Sequence, residues 1–183
     1  MRNLFWFAAG ELAGRSGPSK DPWDLQQLRS VGIGAVLSVN DGECCHSTDI
    51  ERAGLSYRCV PLSRNAPPEE GDLQHCVKAL PEALAYVLQN KRAGRATLVH
   101  CHSGKDRTGL FLAYYAVCAL GMNRFDAIAR VREVRPIAFS APGWGEFGLE
   151  VLAACERPNA SVELSADTSV ARFNSRAPLE PSR

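Results

Sequence analysis

The chain has 183 residues, 45% of them hydrophobic, which is enough for one domain with a full core. Its formal net charge of +1 offers no electrostatic argument for nucleic acid or an acidic partner. Seven cysteines, an odd number without framework spacing, argue against a disulfide scaffold and for a reducing, cytoplasmic setting. Residues 1–11 begin like a secretory leader, but Glu11 interrupts the apolar run and an edge strand is predicted instead. No apolar run is long enough to span a membrane, so no integral membrane contact is expected. Asp24 to Val31 reads as a helix bounded by Gly32 and Gly34. Ala35 to Val39 is apolar and β-branched, like a buried parallel strand, and Asp41-Gly42 turns the chain. Thr48 to Ala53 predicts a short helix and Leu55 to Leu62 a second strand. Across 72–89, Leu73, Val77, Leu80, Leu84, Val87 and Leu88 fall at helical spacing despite Pro81. A strand over Thr97–His100 precedes helices over 108–120, 124–134 and 143–155.

Strands alternating with helices imply an α/β fold with a mostly parallel central sheet flanked by helices, a single domain spanning 1–156. In such sheets ligands bind beyond the carboxyl ends of the strands, where Cys101 falls. Residues 157–183 turn to Asn, Ser, Ala, Glu, Pro and Arg and read as a flexible C-terminal tail. The triplet Asn159-Ala160-Ser161 is a chance glycosylation signal in a cytoplasmic protein.

Residues 98–109 read Leu-Val-His-Cys-His-Ser-Gly-Lys-Asp-Arg-Thr-Gly. A strand delivers Cys101, Arg107 follows at the sixth position, and an apolar helix pattern begins. A strand–loop–helix turn aims successive N–H groups at one point, and the helix N-terminus adds partial positive charge there. Both effects favour a bound dianion and a thiolate at Cys101. Gly104 and Gly109 permit backbone angles or approaches that a side chain would obstruct, and Arg107 offers a planar fork for two phosphate oxygens. The loop residues His102, Ser103, Gly104, Lys105, Asp106 and Arg107 are the expected phosphate site. Cys118 and Arg124 repeat the same spacing without a preceding strand, so that pair is expected to be structural.

The segment His-Cys-x-x-Gly-Lys-x-Arg-Thr-Gly resembles the phosphate-binding loop of the cysteine-dependent tyrosine and dual-specificity phosphatases. Its Gly-Lys-Asp-Arg-Thr-Gly form is similar to a bacterial tyrosine-phosphatase subset and to phosphoinositide phosphatases. Gly10-Glu-Leu-Ala-Gly14, Ala35-Val-Leu-Ser-Val-Asn40 and Val131-Arg-Glu-Val-Arg-Pro136 also resemble small dual-specificity domains, and the likeness runs to about residue 155. It implies a dual-specificity-phosphatase-like fold. It also implies that Thr108 donates its hydroxyl to the Cys101 sulfur, and that His100 braces the loop and helps to hold Cys101 ionised.

The chemistry takes two displacements: thiolate attack gives a cysteinyl-phosphate, and water then releases phosphate. Loop amides and Arg107 stabilise the transferring group, so no metal or organic cofactor is expected. The leaving oxygen needs a proton, and here the chain departs from the family. Arg64 stands where the family pattern places an Asp before a proline, and Arg cannot be a general acid. Asp106, beside Arg107, is the first substitute, because like-charge repulsion from a bound dianion would raise its pKa. Glu69, Glu70 and Asp72 are others, and a good leaving group would need no acid at all. Lys105, His102 and Arg64 either add positive charge at the pocket mouth or are simply solvated. Arg124, Arg130, Arg132 and Arg135 read as a solvated helix face or as a membrane or substrate contact. Cys44 and Cys45 are either bystanders or partners for a reversible disulfide with Cys101. The expected function is a phosphomonoester hydrolase acting on phosphotyrosine, with phosphoserine and phosphothreonine as further protein substrates, or on a small phosphomonoester. Phosphoinositide or inositol-phosphate hydrolysis is the same-chemistry alternative, and a weakly catalytic phosphate-binding module is the alternative from another class.

Overall fold

The computed structural model describes residues 3–156. Its first two strands, β1 (Phe5–Ala8) and β2 (Leu12–Ser16), form an antiparallel pair at the sheet edge. Asp24 accepts the Gln27 N–H and so starts the helix α1 (Leu25–Ser30). Then come β3 (Ile33–Ser38), a 3₁₀ turn at Gly42–Cys44, α2 (Ser47–Arg52) and β4 (Ser56–Cys59). The long helix α3 (Asp72–Arg92) carries Pro81 on an exposed face, where the lost backbone bond is left to solvent. The central strand β5 (Ala96–Cys101) follows, then α4 (Asp106–Leu120), α5 (Arg124–Val134) and α6 (Trp144–Glu156).

The sheet order is β1-β2-β5-β3-β4, parallel except for β1. The expected α/β class and mostly parallel sheet are therefore present. Period-two alternation splits the core. Leu12, Leu37 and Val99 face the layer of α3 to α6, whereas Ala13, Val36 and Leu98 face α1 and α2 through Leu28 and Ile50. β5 lies between β2 and β3, all six of its residues are buried, and its carboxyl end is Cys101.

β2 is the element the chain-order reading leaves out. Leu-Ala-Gly-Arg-Ser contains no β-branched residue, yet all of it is buried. Gly14 takes the place of a side chain there because the Phe5 ring of β1 covers it. The expected tail at 157–183 lies outside the described residues. Among the described residues, no helix is long and apolar enough to cross a membrane.

Candidate active site

The loop between β5 and α4 is held by its carbonyls. His102 O accepts from Gly17 N, Ser103 O and Gly104 O accept from the Arg135 guanidinium, and Lys105 O accepts from Gly109 N. In a planar trans peptide the next N–H points opposite to the carbonyl. With the carbonyls of 102–105 engaged by Gly17, Arg135 and Gly109, the N–H groups of 103–106 point away from those partners. Amides freed in this way at a helix N-terminus are what an anion nest is built from. Gly104 makes the turn at φ +60°, and a Cβ there would fall 2.6 Å from Ser16 N.

Cys101 ends β5 directly before these amides, 2% exposed, and the Thr108 hydroxyl donates to its sulfur at 3.3 Å. His100 lies behind it, fully buried. Its Nε2 meets Ser38 Oγ at 2.5 Å and Cys45 Sγ at 3.4 Å, and Trp23 packs edge-on at 4.6 Å between centroids. Burial pushes the imidazole down to about 4, against the weaker opposing pull of Asp41. His100 is therefore neutral near neutrality. The bracing role expected of it fits these contacts, but it adds no positive charge to steady a thiolate.

Arg107 lies beside the loop with its fork turned to main-chain carbonyls. Nε donates to Ser63 O at 2.6 Å, Nη2 donates to Arg64 O at 2.6 Å and Asn65 O at 3.1 Å, and the guanidinium stacks 4.8 Å from the Trp144 ring centre. A phosphate taken by that edge must displace these carbonyls.

Asp106 is engaged elsewhere than at the mouth. It is buried, Oδ1 accepts the Ala141 N–H at 3.2 Å, and Oδ2 lies 3.6 Å from Lys105 Nζ. The geometry gives it an anchoring job, tying the first turn of α4 to the loop after α5, in place of the general-acid geometry expected of it. Lys105 is drawn the same way, donating to Ser140 Oγ at 3.0 Å. Asp72 caps its own loop by accepting from Asn65 Nδ2 and Glu69 N, and those bonds hold its carboxyl below the usual range against the opposing effect of burial. Glu69 and Glu70 are exposed, flanking a groove beside Gly143 and Glu146.

On the opposite rim, His102 is 58% exposed, with Nδ1 3.2 Å from Ser19 Oγ and 3.7 Å from Asp41 Oδ1. Ser19 Oγ reaches Asp41 Oδ2 at 2.5 Å, and Lys20 donates to Ser103 Oγ at 3.1 Å. Gly17, Ser19 and Lys20 thus bind the His102–Ser103 end of the loop.

Sequence reasoning missed three participants. Arg135, read as part of a helix face, ends α5 and clamps two loop carbonyls. Trp144 holds Asn65 O through its indole N–H and underlies Arg107. Asp41, read as a turn residue, carries a left-handed φ of 67° and points at the loop. Only the last leaves a trace in sequence, because Asp before Gly at a strand end favours such a conformation. The control pair behaves as expected: Cys118 is exposed on α4 and Arg124 pairs with Glu156. All seven cysteines are free. Cys44 bonds Asp41 and Cys45 lies against His100. Among the described residues, no group of three or more His, Cys, Asp or Glu side chains is arranged to hold a metal ion.

Comparison with known proteins gives the family. A family model described as the Swiss Army Knife protein, DSP-PTPase phosphatase domain, matches residues 1–138. Dual specificity protein phosphatase 22 of Xenopus tropicalis is 28% identical over 122 residues, 67% of this chain, and the match spans 53% of that protein's length. Phosphatidylglycerophosphate phosphatase PTPMT1 of Arabidopsis thaliana is 26% identical over 128 residues, 67% of this chain and 36% of that protein. Among solved structures, Tk-PTP in the active form shares the fold with a TM-score of 0.69 and 21% identity, over 85% of this chain and 97% of the other. The family match takes in β1 to β5, the phosphate loop and Arg135, and the chain belongs to the DSP-PTPase family of cysteine-dependent tyrosine and dual-specificity phosphatases.

Proposed function

We propose that the chain hydrolyses phosphomonoesters, with Cys101 as nucleophile and phosphotyrosine as the principal substrate, and with phosphoserine and phosphothreonine as further protein substrates. One observation carries this reading: a buried cysteine ends the central strand, directly before a loop whose carbonyls are engaged by the protein, with a hydroxyl on its sulfur. Thiolate attack forms the S–P bond and expels the ester oxygen. Water then attacks phosphorus, and Thr108 supports the departing sulfur. The amides of 103–106 and Arg107 meet the charge on the equatorial oxygens. A reducing compartment such as the cytoplasm suits a free thiol nucleophile.

The expected result of Cys101→Ser is complete loss of turnover with vanadate binding retained, read by p-nitrophenyl phosphate hydrolysis and inhibitor titration. Undiminished turnover in that variant overturns the mechanism. The named activity of the Arabidopsis relative supports a second reading, hydrolysis of a lipid phosphate. A phosphate-release panel of phosphotyrosine and phosphothreonine peptides, phosphoinositides and inositol polyphosphates decides between them. No release from any member would leave only the binding-module reading.

A further inference from the structure

The reaction needs a proton donor for the leaving oxygen, and two of the candidate carboxyls are engaged elsewhere. Asp106 holds Ala141, Asp72 holds Asn65 and Glu69, and Arg64 has no proton to give. What stands open at the rim is an imidazole. We propose that His102, held through Nδ1 by Ser19 and Asp41, is the general acid that protonates the leaving group and the general base that activates water. This assignment rests on the phosphatase reading above.

The hydrogen-bond arithmetic fixes the ring. A carboxylate can only accept, and Ser19 has one hydroxyl proton, which the 2.5 Å contact gives to Asp41 Oδ2. Ser19 Oγ must then accept from His102, so Nδ1 carries a proton. Nε2 makes no hydrogen bond among the described residues and is the nitrogen left for substrate. The Asp41 carboxylate lies 3.7 Å from Nδ1 on the same side of the ring as Ser19. A non-glycine residue at φ 67° is uncommon and tends to persist where its surroundings require it. Here Asp41 meets Ser19, His102 and Cys44 together.

The proton count closes over both steps. In the first, the Cys101 thiolate forms the S–P bond, the P–O bond to the leaving group breaks, and Nε2–H protonates that oxygen, leaving neutral imidazole. In the second, Nε2 takes a proton from the attacking water, the S–P bond breaks, and thiolate and inorganic phosphate are released with imidazolium restored. Asp41, from the turn after β3, is the charged group that faces His102; Cys44 bonds that same Asp41, Lys20 bonds Ser103 one residue on, and Cys101 precedes His102 at the end of β5.

The test compares phenyl phosphate, whose leaving group is basic, with p-nitrophenyl phosphate, whose leaving group is not. His102→Gln is expected to lower kcat/KM on phenyl phosphate by roughly 100-fold or more, with a much smaller loss on the nitrophenyl ester and no basic limb in the pH–rate profile. Asp41→Asn and Ser19→Ala, which loosen the hold on Nδ1, are expected to keep the basic limb and to lower kcat/KM on phenyl phosphate more than on the nitrophenyl ester. Vanadate inhibition within about threefold of wild type shows that the loop is intact in each variant, since anion binding is by the loop amides. Equal losses on both esters with the basic limb in place overturn the assignment, as does finding the leaving-group-dependent loss in Asp106→Asn instead. Failure of the underlying reading looks different: the wild-type chain would hydrolyse neither ester, or Cys101→Ser would keep its activity.

Discussion

At the scale of single residues, the loop between β5 and α4 is shaped by the partners its carbonyls take, Gly17, Arg135 and Gly109. Gly104 is where that arrangement depends on the absence of a side chain. Its φ of +60° is open to an alanine at a cost, but the added methyl would sit 2.6 Å from the Ser16 amide nitrogen, within main chain of the buried strand β2. Buried backbone cannot swing aside as a long side chain can. Gly104→Ala is therefore expected to lose about 1–3 kcal/mol of stability. Because displaced amides no longer converge on one oxygen position, kcat/KM is expected to fall on the order of 100-fold. Urea unfolding and p-nitrophenyl phosphate kinetics check both numbers, and wild-type turnover would show that the loop tolerates the methyl. Cys101, Arg107, Thr108 and this glycine all stood out in sequence, because one contiguous segment carries them. His102 was legible as a rim residue only. Its partners Ser19 and Asp41 come from loops that no local pattern joins to it.

At the scale of elements, the end of α5 clamps the loop. Arg135 spreads its guanidinium across Ser103 O and Gly104 O while resting 5.4 Å from the Phe5 ring centre. Burial pulls its pKa down, and the nearby Cys101 opposes that pull. Arg135→Met keeps much of the apolar stem but removes both donors. Charged hydrogen bonds are worth about 1.5–3 kcal/mol each. Vanadate affinity is therefore expected to drop roughly 10- to 100-fold, with only part of the loss appearing as a lower melting temperature. Arg135→Lys separates charge from geometry: it keeps the cation and loses the fork. Wild-type affinity in the lysine variant would mean that only the charge matters. Sequence periodicity placed α5 within a residue or two, and Asn123 capping Phe125 and Asp126 explains why its start was legible. It did not show that the last arginine of the helix turns inward, because that depends on where β1 and the loop lie in space. β2 escaped notice for a related reason. Its fitness as a strand comes from the Phe5 ring above Gly14, not from its own composition.

At the scale of the whole molecule, His100 joins segments that the sequence keeps apart. Ser38 of β3 bridges its Nε2 to the Tyr57 hydroxyl of β4, Cys45 comes from the turn before α2, and Trp23 from the loop before α1. The parallel order that brings these together followed from strand–helix alternation. The relay itself did not, because a lone buried histidine in a strand has no sequence signature of its partners. The consequence is a stability that depends on pH. His100 is neutral in the folded chain, pushed down to about 4 by burial, whereas in the unfolded chain it titrates near its ordinary 6.5. Between those values the unfolded state binds the extra proton, so lowering the pH favours unfolding. The full stability is present above about pH 6.5 and falls by roughly 3 kcal/mol by pH 4, the free-energy equivalent of the shift. Asp72, held low by its hydrogen bonds, loses its contribution only in more acidic solution. Urea unfolding at pH 7.5, 6.0, 5.0 and about 4.5 should trace this decline, starting in the histidine range and not the carboxylate range. A His100→Asn variant, starting from lower stability, should show a flatter dependence over the same interval. An equal slope in both proteins would place the titrating group elsewhere.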